Sequence, residues 1–223
     1  RKCMRTFATV LRLMERDDDF RFTCSQAQHY ALLEESSPRL FDEVADRVRE
    51  GRWEPIGGMW IEPDCNVPSG ESLIRQRQHG SGYWRERFGD DAPQRVLYLP
   101  DTFGFPPCLP QLMQLAGLDT FITNKLSWND TNPFPFVSFR WRGLDGSDVL
   151  AHCTPGHDYN ATPDPAALAR GERNDAAAGE ASIITPSLGS RCADHTETIS
   201  NPLRYSSPGS PSCGGGPGSL NTL

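Results

Sequence analysis

Residues 97–105 have the sequence Leu-Tyr-Leu-Pro-Asp-Thr-Phe-Gly-Phe, in which an apolar run ends at a proline and is followed by an acidic residue and a glycine-containing turn. The run from Arg95 to Leu99 has the length and the aromatic and branched side chains of a buried strand. Apolar residues then recur at helical spacing between Leu109 and Ala116. Asp101 therefore lies between a strand and a helix, where ligands bind in α/β folds. The alternative, that Asp101 only caps the turn, stays open.

The segments on both sides of this stretch alternate between helix and strand patterns. We predict helices over residues 3–14, 37–50 and 70–88, and strands over residues 20–24, 52–56 and 119–123. Two further strands, 137–141 and 149–153, flank a turn and suggest a hairpin or two adjacent strands around that turn. This alternation is typical of parallel α/β architecture. The predicted strands are too few to close a barrel, so the fold is an open sheet or part of something larger.

Polar residues follow four of the predicted strands. They are Gln26, Asp64, Asp101 and Lys125. If the strands are neighbours, these side chains converge on one rim, which suits small-molecule chemistry better than a protein-binding face. Trp60 lies beside the same rim, whereas we expect Trp53, Trp84 and Trp128 to be core residues.

Composition excludes several classes of partner. The chain has 223 residues, enough for one sizeable core or two small ones, and a net charge of −7. That charge disfavours binding to nucleic acid or to an anionic membrane, and no apolar run reaches the roughly 18 residues of a membrane span. Seven cysteines without a Cys-x-x-Cys pair favour reduced thiols and a cytoplasmic location. A vacuole-like or lysosome-like compartment is the alternative.

The character of the sequence changes near residue 161. The last part of the chain is rich in Ser, Gly, Pro, Asn and Thr and has few large apolar residues. Such a segment buries too little surface to offset its ordering entropy. We therefore divide the chain into a catalytic-type domain, residues 1–160, and a low-complexity tail, residues 161–223, that we expect to be disordered.

The rim motifs, taken together, resemble the family 38 glycoside hydrolases, the α-mannosidases, and in particular their cytosolic-type branch. The resemblance extends over residues 1–160. It rests on Arg1-Lys2-Cys3, Cys24-Ser25-Gln26-Ala27-Gln28, Gly57-Gly58-Met59-Trp60-Ile61-Glu62, Asn66-Val67-Pro68-Ser69-Gly70-Glu71, Leu99-Pro100-Asp101-Thr102-Phe103-Gly104 and Lys125-Leu126-Ser127-Trp128-Asn129.

The resemblance implies a fold, a reaction and a metal. The fold would be part of a seven-stranded β/α barrel, and the reaction would be retaining hydrolysis of terminal α-mannosides in oligosaccharides. Asp101 would be both the nucleophile and a zinc ligand. Lys125, with Trp60 and Asp64, would contact the substrate. Zinc would coordinate the vicinal hydroxyls of mannose.

A retaining glycosidase also needs a second carboxyl group, about 5–5.5 Å from the nucleophile, as acid and base. Glu62 and Asp64 are candidates, although loop acids are more often solvated or cap helices. His152 and His157 follow a strand, but without an evident third ligand they fit packing or surface histidines better than a metal site.

Two function classes remain open. The family's His-x-His-x-Asp-type metal motif would lie upstream of Arg1, and its general acid would lie beyond the matched region. We therefore expect an incomplete and inactive catalytic fragment, the product of a truncated or frame-shifted gene. The alternative is a non-catalytic carbohydrate-binding or interaction remnant. The sequence leaves the oligomeric state undetermined.

Overall fold

The computed structural model describes residues 1–89, 95–128, 134–156, 164–177 and 181–184. Six α-helices lie in these residues: α1 (Lys2–Arg16), α2 (Ala27–Ser36), α3 (Pro38–Arg49), α4 (Gly70–Phe88), α5 (Leu109–Leu115) and α6 (Pro165–Ala177). The strands are β1 (Phe22–Ser25), β2 (Trp53–Ile56), β3 (Val96–Tyr98), β4 (Thr120–Thr123), β5 (Ser138–Arg142), β6 (Asp148–Cys153) and β7 (Ala181–Ile184). A short 3₁₀ helix, Lys125–Ser127, follows β4.

The helices form where apolar spacing and end signals agree. In α1 the buried residues Phe7, Val10, Leu11 and Met14 lie on one face. The Ser69 hydroxyl accepts the Ser72 N–H at 3.2 Å and caps α4. The sequence pattern missed α2, which begins after Gln26 without a side-chain cap and with φ +69° at that residue. Its helical state is set by packing, because Tyr30 and Leu33 are buried.

The strands form two sheets. Strands β1 and β2 pair in parallel, and the second sheet has the order β3-β4-β6-β5-β7. Within it, β3, β4 and β6 are parallel neighbours, and β5 is antiparallel to β6, which confirms the predicted hairpin. A seven-stranded barrel is not formed by the described residues, because their pairings leave β2 and β3 in separate sheets. The fold is mixed α/β.

The ends of β1, β2 and β3 nevertheless come close together. Gly57 directly follows β2 with φ +98°, and a Cβ atom at this position would lie 3.3 Å from the Ser25 Cβ and 3.5 Å from the Tyr98 Cβ. The carboxyl ends of these strands therefore share one edge of the molecule.

Two hydrophobic clusters stabilise the fold. The first, here the N-terminal cluster, joins α1, α2 and α3 to β2 and the end of α4 around Tyr30, Trp53 and Trp84. The Trp53 Nε1–H donates to the Tyr30 hydroxyl at 2.8 Å, and that hydroxyl donates to the Cys24 carbonyl at 3.0 Å. The second, here the sheet cluster, packs α5 and the start of α4 against β3 to β6 around Phe105, Phe121 and Trp141.

The predicted disordered tail needs correction in its first part. Residues 165–177 form α6, and residues 181–184 form β7, which pairs in parallel with β5. Two physical causes outweigh the low apolar content: alanine favours helix, and the edge of β5 offers backbone hydrogen bonds. Residues 185–223 lie outside the described residues, as does His157. The domain boundary at residue 160 stays a prediction.

Candidate active site

Asp101 and Lys125 meet at the carboxyl ends of two parallel strands. The Leu99 N–H bonds the Ile122 carbonyl at 3.0 Å, which carries the β3–β4 pairing up to Pro100 and Asp101. Lys125 opens the 3₁₀ helix after β4. As a result, the Lys125 Nζ lies 2.8 Å from the Asp101 Oδ1. Parallel pairing thus brings together two residues that are 24 positions apart in the sequence.

The Lys125 ammonium lies over two aromatic rings. Its Nζ lies 3.8 Å from the centre of the Phe103 ring and 4.4 Å from that of the Trp128 ring, close enough for cation–π attraction. Only 9% of the Lys125 side chain is exposed, whereas Asp101 is 59% exposed. The ammonium is therefore held in place, and the carboxylate faces outward.

Trp128 is not a core residue, contrary to the sequence prediction. It is 61% exposed, and Phe103 beside it is 50% exposed. A sequence signal for Trp128 exists, because residues i and i+3 of a 3₁₀ helix lie one above the other and Trp128 follows Lys125 by three positions. The predictions for Trp53 and Trp84 are confirmed, since both are buried.

Glu62 is hydrogen-bonded to the main chain of Asp101. Its Oε1 accepts the Asp101 N–H at 2.5 Å and lies 3.2 Å from the Thr102 hydroxyl. The Thr102 hydroxyl also lies 3.1 Å from the Pro63 carbonyl, so its single proton serves one acceptor at a time. Burial raises the pKa of Glu62, and the hydrogen bonds from Asp101 and Thr102 work against that rise.

Asp64 shapes its own turn. Its Oδ1 accepts the N–H groups of Asn66 and Val67, each at 2.8 Å, which is an Asx turn. The Asn66 side chain in turn donates to the Phe103 carbonyl at 2.8 Å. Asp64 is exposed beside the segment that follows Asp101. Its place as a substrate-binding residue stays a prediction.

Trp60 packs against α4 more than it faces solvent. It is half-buried, and its ring meets that of Tyr83 edge-on with 5.9 Å between centres. The Trp60 N–H donates to the Gln76 carbonyl at 2.9 Å, and the Gln28 N–H donates to the Trp60 carbonyl at 3.0 Å. Contact between Trp60 and substrate also stays a prediction.

The described residues do not form a metal centre of three or more ligands. No group of three His, Cys, Asp or Glu side chains within them is arranged to hold a metal ion. The His152 Nδ1 lies 3.0 Å from the Ser138 hydroxyl, in agreement with a packing role.

Within the described residues there is also no helix both long and apolar enough to cross a membrane.

The model of the glycosyl hydrolases family 38 N-terminal domain matches residues 1–201. The chain belongs to glycosyl hydrolase family 38. The matched range includes α6 and β7 and so extends past residue 160, where the sequence resemblance ended.

Characterised relatives agree with this family 38 membership. The chain is 44% identical over 163 residues to alpha-mannosidase G of Dictyostelium discoideum, covering 73% of this chain. It is 44% identical over 159 residues to human alpha-mannosidase 2C1 and 41% identical over 162 residues to an alpha-mannosidase of Saccharomyces cerevisiae, covering 71% and 72% of this chain. In each case the chain spans 15% of the relative's length.

Solved structures support the fold alone. An alpha-mannosidase from Enterococcus faecalis V583 superposes with a TM-score of 0.63 at 23% identity, covering 78% of this chain and 20% of the other. A 4-alpha-glucanotransferase from Thermococcus litoralis reaches 0.54 at 17% identity, covering 67% of this chain and 23% of the other.

Proposed function

We propose that this family 38 chain supplies the nucleophile of a retaining α-mannosidase that acts on terminal α-mannosides of oligosaccharides. The supporting observation is the Asp101 carboxylate, which is exposed at the end of β3 and held through one oxygen by Lys125 at 2.8 Å. An oriented carboxylate that is open to solvent meets the geometric need of a nucleophile in glycoside hydrolysis. We propose Lys125, Trp60 and Asp64 as its substrate contacts.

The chemistry proposed for Asp101 has two steps. A carboxylate oxygen attacks the anomeric carbon as the bond to the leaving oxygen breaks, giving a glycosyl ester. In the first step a general acid protonates the leaving oxygen. In the second step the same group acts as a base and takes a proton from the water that cleaves the ester. We assign this acid to residues outside the described ranges, because Glu62 is already engaged with the Asp101 main chain.

The described residues do not fit a complete zinc site. A catalytic zinc uses three protein ligands, no group of three is present among them, and the Asp101 Oδ1 bonds Lys125. We keep Asp101 as one proposed zinc ligand, with the others outside the described ranges, and the two steps above do not depend on the metal.

We also propose a cytoplasmic location. The five cysteines of the described residues, namely Cys3, Cys24, Cys65, Cys108 and Cys153, are free thiols, as expected in a reducing compartment. Nothing in the described residues or in the relatives favours the alternative of a non-catalytic binding remnant.

The test is hydrolysis of a dinitrophenyl α-mannoside by the complete protein that carries this chain. Its leaving group departs without a general acid, so the assay isolates the nucleophile. Asp101→Asn should lower the rate by several orders of magnitude, because an amide does not form the glycosyl ester. Asp42→Asn, the same change at an exposed position on α3, should leave it unchanged. Near-normal turnover by Asp101→Asn would refute the assignment.

A further inference from the structure

The loop after β2 reaches across to the segment after β3 at two points. Glu62 accepts the Asp101 N–H at 2.5 Å, and the Asn66 side chain donates to the Phe103 carbonyl at 2.8 Å. Strands β2 and β3 belong to different sheets. These two side-chain bonds therefore connect the loop after β2 to the segment after β3, which no strand pairing joins.

We propose that Glu62 is a positioning residue for Asp101, holding the main chain of the nucleophile through the Asp101 N–H, and is not the acid/base carboxyl. The inference rests on the proposed function of Asp101. Two groups fix Asp101 from opposite ends: Lys125 holds a side-chain oxygen and Glu62 holds the backbone nitrogen.

The geometry favours positioning over proton transfer. The Glu62 oxygen that accepts the Asp101 N–H is also the one nearest the Thr102 hydroxyl. The Asp101 N–H can only donate, so the Glu62 oxygen serves there as an acceptor, and a carboxylate is the stronger acceptor. An N–H donor fixes the local backbone, and a nucleophile displaced by about 1 Å loses roughly 100-fold in rate.

The experiment compares two substitutions on two substrates in the complete protein. Glu62→Gln keeps an acceptor oxygen and removes the titratable proton, whereas Glu62→Leu removes both. Each is assayed by kcat/KM, which reports formation of the glycosyl ester, on dinitrophenyl α-mannoside, for which this step needs no acid, and on an alkyl α-mannoside, for which it does. Glu71→Leu, at an exposed glutamate in the first turn of α4, is the control.

Positioning predicts that Glu62→Leu loses about 100-fold on both substrates and that Glu62→Gln stays within about tenfold of the parent on both. Residue-resolved hydrogen exchange of the Asp101 amide should accelerate in Glu62→Leu and remain slow in Glu62→Gln. Exchange of the Leu99 amide, bonded to Ile122, should be unchanged in both, which excludes global unfolding.

The opposite pattern would overturn the inference. An acid/base Glu62 gives a Gln variant that fails on the alkyl substrate but keeps its kcat/KM on the dinitrophenyl substrate, because only the later attack of water then lacks its base. Activity lost while the Asp101 amide stays protected would also contradict positioning, and Glu62→Gln decides alone if Glu62→Leu does not fold. If Asp101→Asn is inactive while Glu62→Leu is normal, only this inference fails. If Asp101→Asn is active, the proposed function fails first.

Discussion

Lys125 makes an ion pair and two aromatic contacts with one ammonium group. Because the side chain is 9% exposed, the ammonium gives up much of its hydration and recovers attraction from Asp101 and from the rings of Phe103 and Trp128. The ion pair orients the carboxylate, and the two rings hold the ammonium. The Asp101 carboxylate is thus oriented by a charge that is itself held in place.

Replacing Lys125 by methionine should separate orientation from packing. Methionine keeps an unbranched apolar side chain at this position and removes the bond to Asp101. We expect kcat on dinitrophenyl α-mannoside to fall about 100-fold, measured by steady-state kinetics of the complete protein. Lys2→Met, at the exposed start of α1, is the control. An unchanged kcat in Lys125→Met would contradict the orienting role.

At the scale of elements, α4 supports the loop that carries Glu62. Gly80 of α4 lies directly against this loop, where a Cβ would stand 2.4 Å from the Met59 carbonyl carbon, 2.6 Å from the Gly58 oxygen and 2.7 Å from the Trp60 nitrogen. All three atoms belong to backbone. Only glycine therefore allows the helix and the loop to approach so closely.

Gly80→Ala should destabilise the protein, and Gly82→Ala should not. The first substitution forces backbone apart and costs about 1–3 kcal/mol or more of unfolding free energy. The second adds a methyl group in open space and gains up to about 1 kcal/mol from helix propensity. Urea unfolding of the two variants should thus give changes of opposite sign. Equal changes would contradict the close contact at Gly80.

The β5–β6 hairpin has a pH-dependent ion pair at its turn. The Arg142 guanidinium donates to both Asp148 oxygens, each at 2.7 Å, and these bonds are the main cause that holds the pKa of Asp148 below its usual 3.8. The folded state therefore favours the ionised carboxyl. Its stabilisation is present above pH 3.8 and is lost as the pH falls through the folded-state pKa.

Asp148→Asn should accordingly reduce stability at neutral pH and matter less in acid. Because both side chains are partly exposed, we expect about 0.2–1 kcal/mol at pH 7. Urea unfolding at pH 7 and near pH 3 measures the difference, with Asp42→Asn as the reference. A deficit that grows in acid would contradict the sign.

At the scale of the whole molecule, α4 connects the two hydrophobic clusters. Leu73 near its start belongs to the sheet cluster, and Trp84 near its end belongs to the N-terminal cluster. Since a helix is a rigid element, loss of packing at one end of α4 should also destabilise the cluster at its other end. We expect the described part of the chain to unfold as one cooperative unit.

Leu73→Ala tests this coupling. Removing a buried leucine costs about 2–5 kcal/mol, and native-state hydrogen exchange should report the same loss for amides of β1 and of β4. The matched comparison is Leu115→Ala, since Leu115 is 76% exposed. Destabilisation confined to β4 would mean that the clusters unfold separately.

Sequence alone identified most elements and the central pair of the site. Helix α1 and the β5–β6 hairpin follow from local periodicity and turn residues. Asp101 and Lys125 were predicted at strand ends, and parallel pairing joins them. Helix α2 was missed because no cap precedes it, and Trp128 was misplaced because hydrophobicity alone does not tell a buried ring from one that lies over an ammonium.

The order of motifs in the sequence was sufficient to predict the family and the nucleophile candidate, because residue types and their spacing are properties of the chain itself. Three features depended on tertiary structure: the two-sheet arrangement, the close contact of Gly80 with the backbone of residues 58–60, and the bond from the Asp101 N–H to Glu62. Each joins segments far apart in the sequence, and local patterns do not encode which distant groups meet. The role of Glu62 became apparent for this reason only once the loop after β2 was placed beside the end of β3.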